Sequence, residues 1–415
     1  KAKATLGKNK DAIADFQEAL QIRREIVDKR GLGDTLIEMG NFADDAGDHD
    51  QALKMEKEAL EMEREVGNES LQAICLNNIG TSYSEKGQYE DALTYYQQAL
   101  QLREKSKAPQ DIVEAVHNLG DTSVDMGQYD KAVAYYLRAL DLRRSMDDQR
   151  GAAIESNSLG ILFDYQGRFG AAINSEQDAL KTFHEMKDRS IWTARILNAT
   201  AEALILAGRG DEAKSDLDES LKLSRELKND SVMAQTLGVL GDASFYKGDF
   251  KSAQADYSEA LQAAKRSKEP DMVLIANSEL AKVLVGEKRS PEAIAALKPL
   301  LQHADDLGLR YVSVESSIAM AEALIQRHDV TGARDELKRA ALRADQLGMQ
   351  PLSARARYLL AVTEGGHGSQ PEAKQDYREV VRLLDSMKKD PGAQQLLDRA
   401  DFKMMYEQSK HASAQ

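Results

Sequence analysis

Asn77, His117, Asn157 and Asn198 follow one another at steps of forty, forty and forty-one residues, with Ile37 before them and Gly238 and Ser278 after them on the same spacing. An asparagine offers both a donor and an acceptor, so a row of amides can pair with the alternating N–H and C=O groups of an extended peptide whatever its side chains. The same residues have a second use, bonding from one helix to the next, because a buried amide must find partners either way. Asn78 and Asn118, one position on, lean toward that second use. Catalysis finds no comparable pattern. His184-Glu185 is followed by no histidine at the zinc-protease spacing, and the single Cys75 excludes thiolate metal clusters and an internal disulfide. No metal site, no cofactor and no enzymatic activity are expected. The stretch "GLGD" from Gly31 lacks the third glycine and preceding strand of a dinucleotide loop, and "EGGHGS" from Glu364 sits at a turn; both read as helix-stop glycines. Cys75 reads as a small buried hydrophobe, and Asn68-Glu69-Ser70 and Asn198-Ala199-Thr200 as chance glycosylation matches.

The elements that position these residues repeat with the same period. Alanine stands at 12, 52, 92, 132, 172, 213, 253, 293, 333 and 373, a step of forty residues broken once by forty-one. Twelve residues before each, from the second onward, stands Gly40, Gly80, Gly120, Gly160, Ala201, Gly241, Ala281, Ala321 or Ala361. Two small residues at a fixed offset, each in an apolar-periodic segment, let a pair of antiparallel helices approach closely. Between them lies a turn, as in "EKGQYEDA", "DMGQYDKA", "YQGRFGAA" and "YKGDFKSA", in which Gly87, Gly127, Gly167 and Gly248 stop the first helix. Two residues later Tyr89, Tyr129, Phe169 or Phe250 opens the second.

This pattern of small residue, turn glycine, aromatic, alanine and a second alanine seven residues later (Ala99, Ala139, Ala179, Ala260) resembles the tetratricopeptide repeat over nearly the whole chain. The period of forty exceeds the family's usual thirty-four and implies helices longer by about a turn and a half in total, as in the kinesin light chain, spindle-orientation adaptors and bacterial pheromone-receptor regulators. From about Asp271 the glycine and aromatic signatures fade. The resemblance implies an all-α, right-handed superhelical solenoid of antiparallel helix pairs: a half repeat at 1–30, nine complete repeats to 390, and a capping helix and tail at 391–415. A step of forty-one between Ala172 and Ala213 is the expected bend in one otherwise continuous superhelix. The first residues read as the second helix of a repeat, and no Met precedes Lys1, so the chain is expected to have been cut from something longer.

In such a solenoid first helices line the concave face. The stretches 34–45, 74–85, 114–125 and 154–165 hold no Lys or Arg but many acids, among them Asp44, Asp121, Asp125 and Asp164. Unpaired carboxylates are rarely buried, so these are expected to face water or a ligand and to draw in basic segments. The resemblance maps groove-asparagine roles onto Asn77, Asn157 and Asn198. The candidate partner-binding residues are therefore Asn77, His117, Asn118, Asp121, Asp125, Asn157, Asp164, Asn198, Phe245 and Tyr246, the last two with Val285 forming an apolar anchor farther along. With 415 residues, 42% hydrophobic, only 7 Pro and a net charge of −14, the composition suits a soluble helical protein and argues against nucleic acid. No window spans a membrane and no secretory signal opens the chain, so the expected place is the cytoplasm. The expected function is a protein- or peptide-binding scaffold; the alternatives are a sensor region of a larger bacterial kinase or transcription regulator, and a homo-oligomer.

Overall fold

The protein is described by a computed structural model covering residues 9–106, 109–365 and 370–414. Packing divides it into two compact units, Lys1–Asp148 and Gln149–Gln415. The first holds α1 (Asn9–Glu25), α2 (Lys29–Asp45), α3 (His49–Glu65), α4 (Glu69–Glu85), α5 (Tyr89–Ser106), α6 (Pro109–Asp125) and α7 (Tyr129–Ser145). The second holds α8 (Gln149–Tyr165), α9 (Phe169–Glu185), α10 (Ile191–Leu206), α11 (Lys214–Glu226), α12 (Asp230–Tyr246), α13 (Phe250–Ser267) and α14 (Pro270–Gly286). It continues with α15 (Ser290–Asp306), α16 (Arg310–Gln326), α17 (Val330–Gln346), α18 (Gln350–Gly365), α19 (Gln370–Lys388), a 3-10 turn (Leu396–Asp398) and α20 (Ala400–Ala414). Each unit is a stack of helix pairs, and no strand occurs among the described residues. None of their helices is long and apolar enough to cross a membrane.

Local chemistry sets the helix ends. Side chains of Asp28, Asp48, Asn68, Asn229, Asp249 and Asp329 accept the orphan N–H two or three residues into the following helix, which satisfies a donor the helix itself cannot. Asn68 thus acts as a cap. Gly87, Gly127, Gly167 and Gly248 adopt φ between +70° and +79°, and Tyr89, Tyr129, Phe169 and Phe250 open the next helices, as the spacing predicts. Where the glycine signature fades, the left-handed turn persists on Lys288 (φ 60°) and His328 (φ 63°). The extra residue of the forty-one-residue step lies in the turn between α9 and α10, where Asp188 and Ser190 hold the chain.

Each pair is locked where its small residue meets the residue sixteen positions on. A Cβ on Gly80 or Gly120 would lie 2.7 Å from the ring of Tyr96 or Tyr136, and one on Gly241 would lie 2.4 Å from Tyr257. Glu56 fills the same place over Gly40, and Glu176 over Gly160. At the pairs carrying Ala201, Ala281 and Ala321 the opposite residue is Leu217, Leu297 or Leu337, all fully buried. Tyrosine over glycine and leucine over alanine have nearly the same combined volume, while glutamate over glycine makes a smaller pair. In the last pair Tyr377 faces Ala361 and stays half-buried.

Two elements differ from the sequence reading. Gly31 and Gly33 lie inside α2, where a Cβ would strike the Asp28 cap and Glu63, so they serve close packing and stop nothing. Of "EGGHGS", Gly365 ends α18, while Gly366–Ser369 fall outside the described residues, as do Lys1–Lys8 of the half repeat. The stretch after Asp390 is no single helix: it forms a turn and the 3-10 segment before α20 begins. There Leu396, Phe402 and Met405 are buried, Tyr406 donates to Asp385 Oδ1 at 3.0 Å, and Tyr358 donates to Gln408 Oε1 at 2.6 Å.

Gly120→Ala should destabilise the first unit by about 1–3 kcal/mol through overpacking against Tyr136, and adding Tyr136→Leu should recover part of that loss. Urea denaturation of the two single variants and the double variant measures the coupling, and simple additivity would contradict size matching. We also propose that residues 391–415 cap the last pairs: deleting them removes buried side chains worth about 1.5–3 kcal/mol each, so the truncated chain should melt lower and aggregate. Equal melting and solubility would count against a cap.

Candidate functional site

The polar rows of the first helices behave differently in the two units. In the first, Asn77 is buried at 3% exposure, and its Oδ1 accepts from Asn118 Nδ2 at 3.1 Å. Asn78 donates to Asn41 Oδ1 at 2.7 Å. These amides bond from helix to helix. Asp121 accepts from the Tyr136 hydroxyl at 2.5 Å and lies 3.3 Å from His117 Nε2; Asp125 ends α6 half-buried. Asp44 is held by the Ser82 hydroxyl at 2.7 Å and His49 Nδ1 at 2.9 Å. Glu56, fully buried beside it, is pushed up to about 8 by burial and then by the Asp44 charge.

In the second unit the first helices α8, α10, α12, α14 and α16 surround a chamber of about 570 Å³. Asn157 and Asn198 line it, each 5% exposed. Asn157 Oδ1 and both polar atoms of the Asn198 amide have no hydrogen-bond partner in the protein, although a buried amide left unpaired costs roughly 1–3 kcal/mol. Tyr165 and Tyr311 stack across the wall with centroids 4.8 Å apart, and Trp192 lies under Arg195 at 5.3 Å.

Carboxylates crowd the same chamber: Glu202 from α10, Asp242 from α12, Glu279 from α14 and Glu315 from α16. Lys282 bridges two of them, at 2.6 Å to Glu279 and 2.9 Å to Glu315. Asp242 accepts from the Tyr257 hydroxyl at 2.6 Å. Burial, opposed by Lys282 and assisted by the other carboxylates, raises Asp242 to about 6 and Glu279 to about 8. Glu202 is open to the water of the chamber, yet enclosure and the charges of Glu279 and Glu315 also raise it.

Asp164, expected among the acids that face water or a ligand, lines the same chamber from a buried position. It is 6% exposed with Oδ1 unpartnered, and burial, then the Glu176 and Glu202 charges, push its carboxyl well up. Desolvation disfavours its ionised form, so it adds less negative potential than an exposed carboxylate does. Phe245, Tyr246 and Val285 line a separate cavity of about 400 Å³, faced by Met404 and Met405 of α20. Arg399 lies 4.1 Å from the Tyr246 ring, so the chain's own terminal segment already sits on the expected anchor. That segment also reaches the first pairs of the unit: Asp390 Oδ2 accepts from the Ala171 N–H at 3.0 Å, and Arg399 Nη1 donates to the Leu206 carbonyl at 3.2 Å.

Reading the sequence missed Glu202, Asp242, Glu279, Glu315 and Trp192. For Glu202 and Asp242 a signal was present: Asp121, Glu202, Asp242, Lys282 and Glu322 each directly follow the small residue of their repeat, one helical turn beyond the amide row on the same side of the helix.

The tetratricopeptide repeat family model matches residues 2–65, 34–105, 111–183 and 192–266, and a second tetratricopeptide repeat model matches 318–391. No curated protein matches the chain. Among solved structures, a Rap protein complexed with competence and sporulation factor is 15% identical, with TM-score 0.53, over 80% of this chain and 98% of that one. The apo form of RapI is 13% identical, with TM-score 0.51, over 72% and 98%. BtubC (BKLC) from P. vanneervenii is 17% identical over 53% and 92%, with TM-score 0.48. These likenesses concern the fold.

The raised carboxyls make stability depend on pH. Between pH 5 and 8 Glu56 and Glu279 hold protons in the folded chain that their unfolded counterparts, with ordinary values near 4.5, have already lost. Stability should therefore fall as pH rises through that window, by about 1.4 kcal/mol per pH unit for each proton lost. Glu56→Gln and Glu279→Gln should each flatten the dependence of urea midpoint on pH; a midpoint rising from pH 5 to 8 would contradict the assignment.

Proposed function

This chain belongs to the tetratricopeptide-repeat family, and on that premise we propose that it is a non-catalytic scaffold that binds a protein tail or extended peptide through the first-helix face of its second unit. The observation that carries this reading is the pair Asn157 and Asn198: two buried amides on successive first helices, turned into a chamber with polar atoms unpartnered. A peptide backbone supplies both the N–H and the C=O those atoms lack. The acids around them favour partners rich in Lys or Arg, and association should weaken as salt rises. A Rap protein of similar fold has been crystallised with competence and sporulation factor, which supports the same use of the fold here. In the first unit, Asn118 donates to Asn77; there the exposed Asp121 and the half-buried Asp125 serve basic partners by charge.

A second reading is a regulatory region of a larger signalling protein. It is favoured by the contacts of Asp390 with Ala171 and of Arg399 with Leu206, which tie the terminal segment to the helix pairs that build the chamber. A ligand that shifts those pairs has a direct route to that segment.

The test is capture of partners from lysate followed by titration against variants. Asn157→Ala with Asn198→Ala should weaken binding by on the order of 1 kcal/mol per lost hydrogen bond, chiefly through faster dissociation, whereas Asp121→Lys with Asp125→Lys should mainly slow association. Binding that survives both pairs but disappears when charges are placed on second helices would put the site on the opposite face.

A further inference from the structure

We propose that the chamber of the second unit also accepts a compact aliphatic polyamine, two or more ammonium groups spaced along a methylene chain. The proposal rests on reading the chamber as a ligand site but requires no peptide backbone. Four carboxylates from four successive first helices, Glu202, Asp242, Glu279 and Glu315, face the space, and the single ammonium among them, Lys282, is spent on Glu279 and Glu315. Glu202 has no ion pair among the described residues, and Asp242 has only the neutral Tyr257 hydroxyl. With Arg195, which lies over Trp192, as the other cation of the wall, the carboxyl groups outnumber the cations, and burial with mutual repulsion holds several of them toward the protonated form for want of counterions.

An independent feature points to the same occupant. Asn198, 5% exposed, turns an unpartnered amide into the chamber, and Asn157 adds an unpartnered carbonyl oxygen. Carbonyl oxygens of this kind accept from an ammonium, which has three donors and no acceptor. Trp192 and Tyr311 give the chamber aromatic walls against which methylenes pack. A volume of about 570 Å³ falls in the range of small-molecule sites, about 300–1,000 Å³. A metal ion does not meet the same need: among the described residues no three His, Cys, Asp or Glu side chains come together tightly enough to hold one. Charge distributed along the wall matches charge distributed along a chain.

Entering ammonium groups should lower the raised carboxyls and expel their protons. The experiment is isothermal titration of the full chain with spermidine at pH 7, at constant ionic strength and in two buffers of different ionisation enthalpy. The expected result is saturable one-to-one binding with net proton release. Glu202→Gln or Asp242→Asn should weaken it at least tenfold, whereas Glu259→Gln on the outer face of α13 should leave it unchanged, with folding checked by circular dichroism. Two carboxylate variants guard against one failing to fold. Absence of saturable binding, binding without proton release, or equal binding by both chamber variants would overturn the proposal. A lysine-free peptide that binds where spermidine does not would overturn it and leave the peptide reading standing; spermidine binding without peptide binding would do the reverse.

Discussion

Everything in this chain is spaced by the approach of two helices at one small residue per repeat. A tyrosine ring or a glutamate stem lies where the Cβ of Gly40, Gly80, Gly120, Gly160 or Gly241 would be, and leucine takes that place opposite alanine at Ala201, Ala281 and Ala321. Packed interiors tolerate neither a void nor an extra methyl group, so each pair keeps the gap at its small residue filled, by more than one chemical solution. That constancy lets the repeat persist after Asp271, where its recognisable residues are gone.

The same contact has polar consequences. The tyrosines that fill the glycine gap carry hydroxyls, and these reach the residue just after the glycine: Thr81 for Tyr96, Asp121 for Tyr136 and Asp242 for Tyr257. Where glutamate fills the gap, as at Glu56 and Glu176, a carboxyl is buried instead, and burial raises it toward the protonated form. Acid pairs of this sort, Glu56 with Asp44 and Glu176 with Asp164, lower stability at high pH compared with an apolar filler. In the second unit the row after the small residue turns into the chamber, bringing Glu202 and Asp242 to face Glu279 and Glu315. A residue chosen for packing and a residue facing the chamber are thus neighbours in sequence.

Helix pairing, the turn glycines and the aromatic helix starts were legible because each depends on residues close in sequence. Asn157 and Asn198 were legible as a row for the same reason, since period and helix geometry alone place them. What could not be read was closure. Tyr165 meets Tyr311, and Asp390 meets Ala171, contacts across a hundred residues or more that no local period encodes. Without them Asp164 looked like an unpaired charge facing water or a ligand, Phe245 and Tyr246 looked like an open anchor, and Asn77 looked like Asn157. Asp164 is buried in the chamber wall, Arg399 of the same unit lies over Tyr246, and Asn77 accepts from Asn118.

The central claim is that ligands enter the chamber of the second unit, and the chain's one tryptophan, Trp192, stands in its wall. Intrinsic fluorescence with acrylamide quenching therefore reports on that space without a label. Adding a bound partner peptide at saturating concentration should shift the Trp192 emission and reduce its access to acrylamide. Binding demonstrated independently, with emission and quenching both unchanged, would place the ligand elsewhere and contradict the assignment of the chamber.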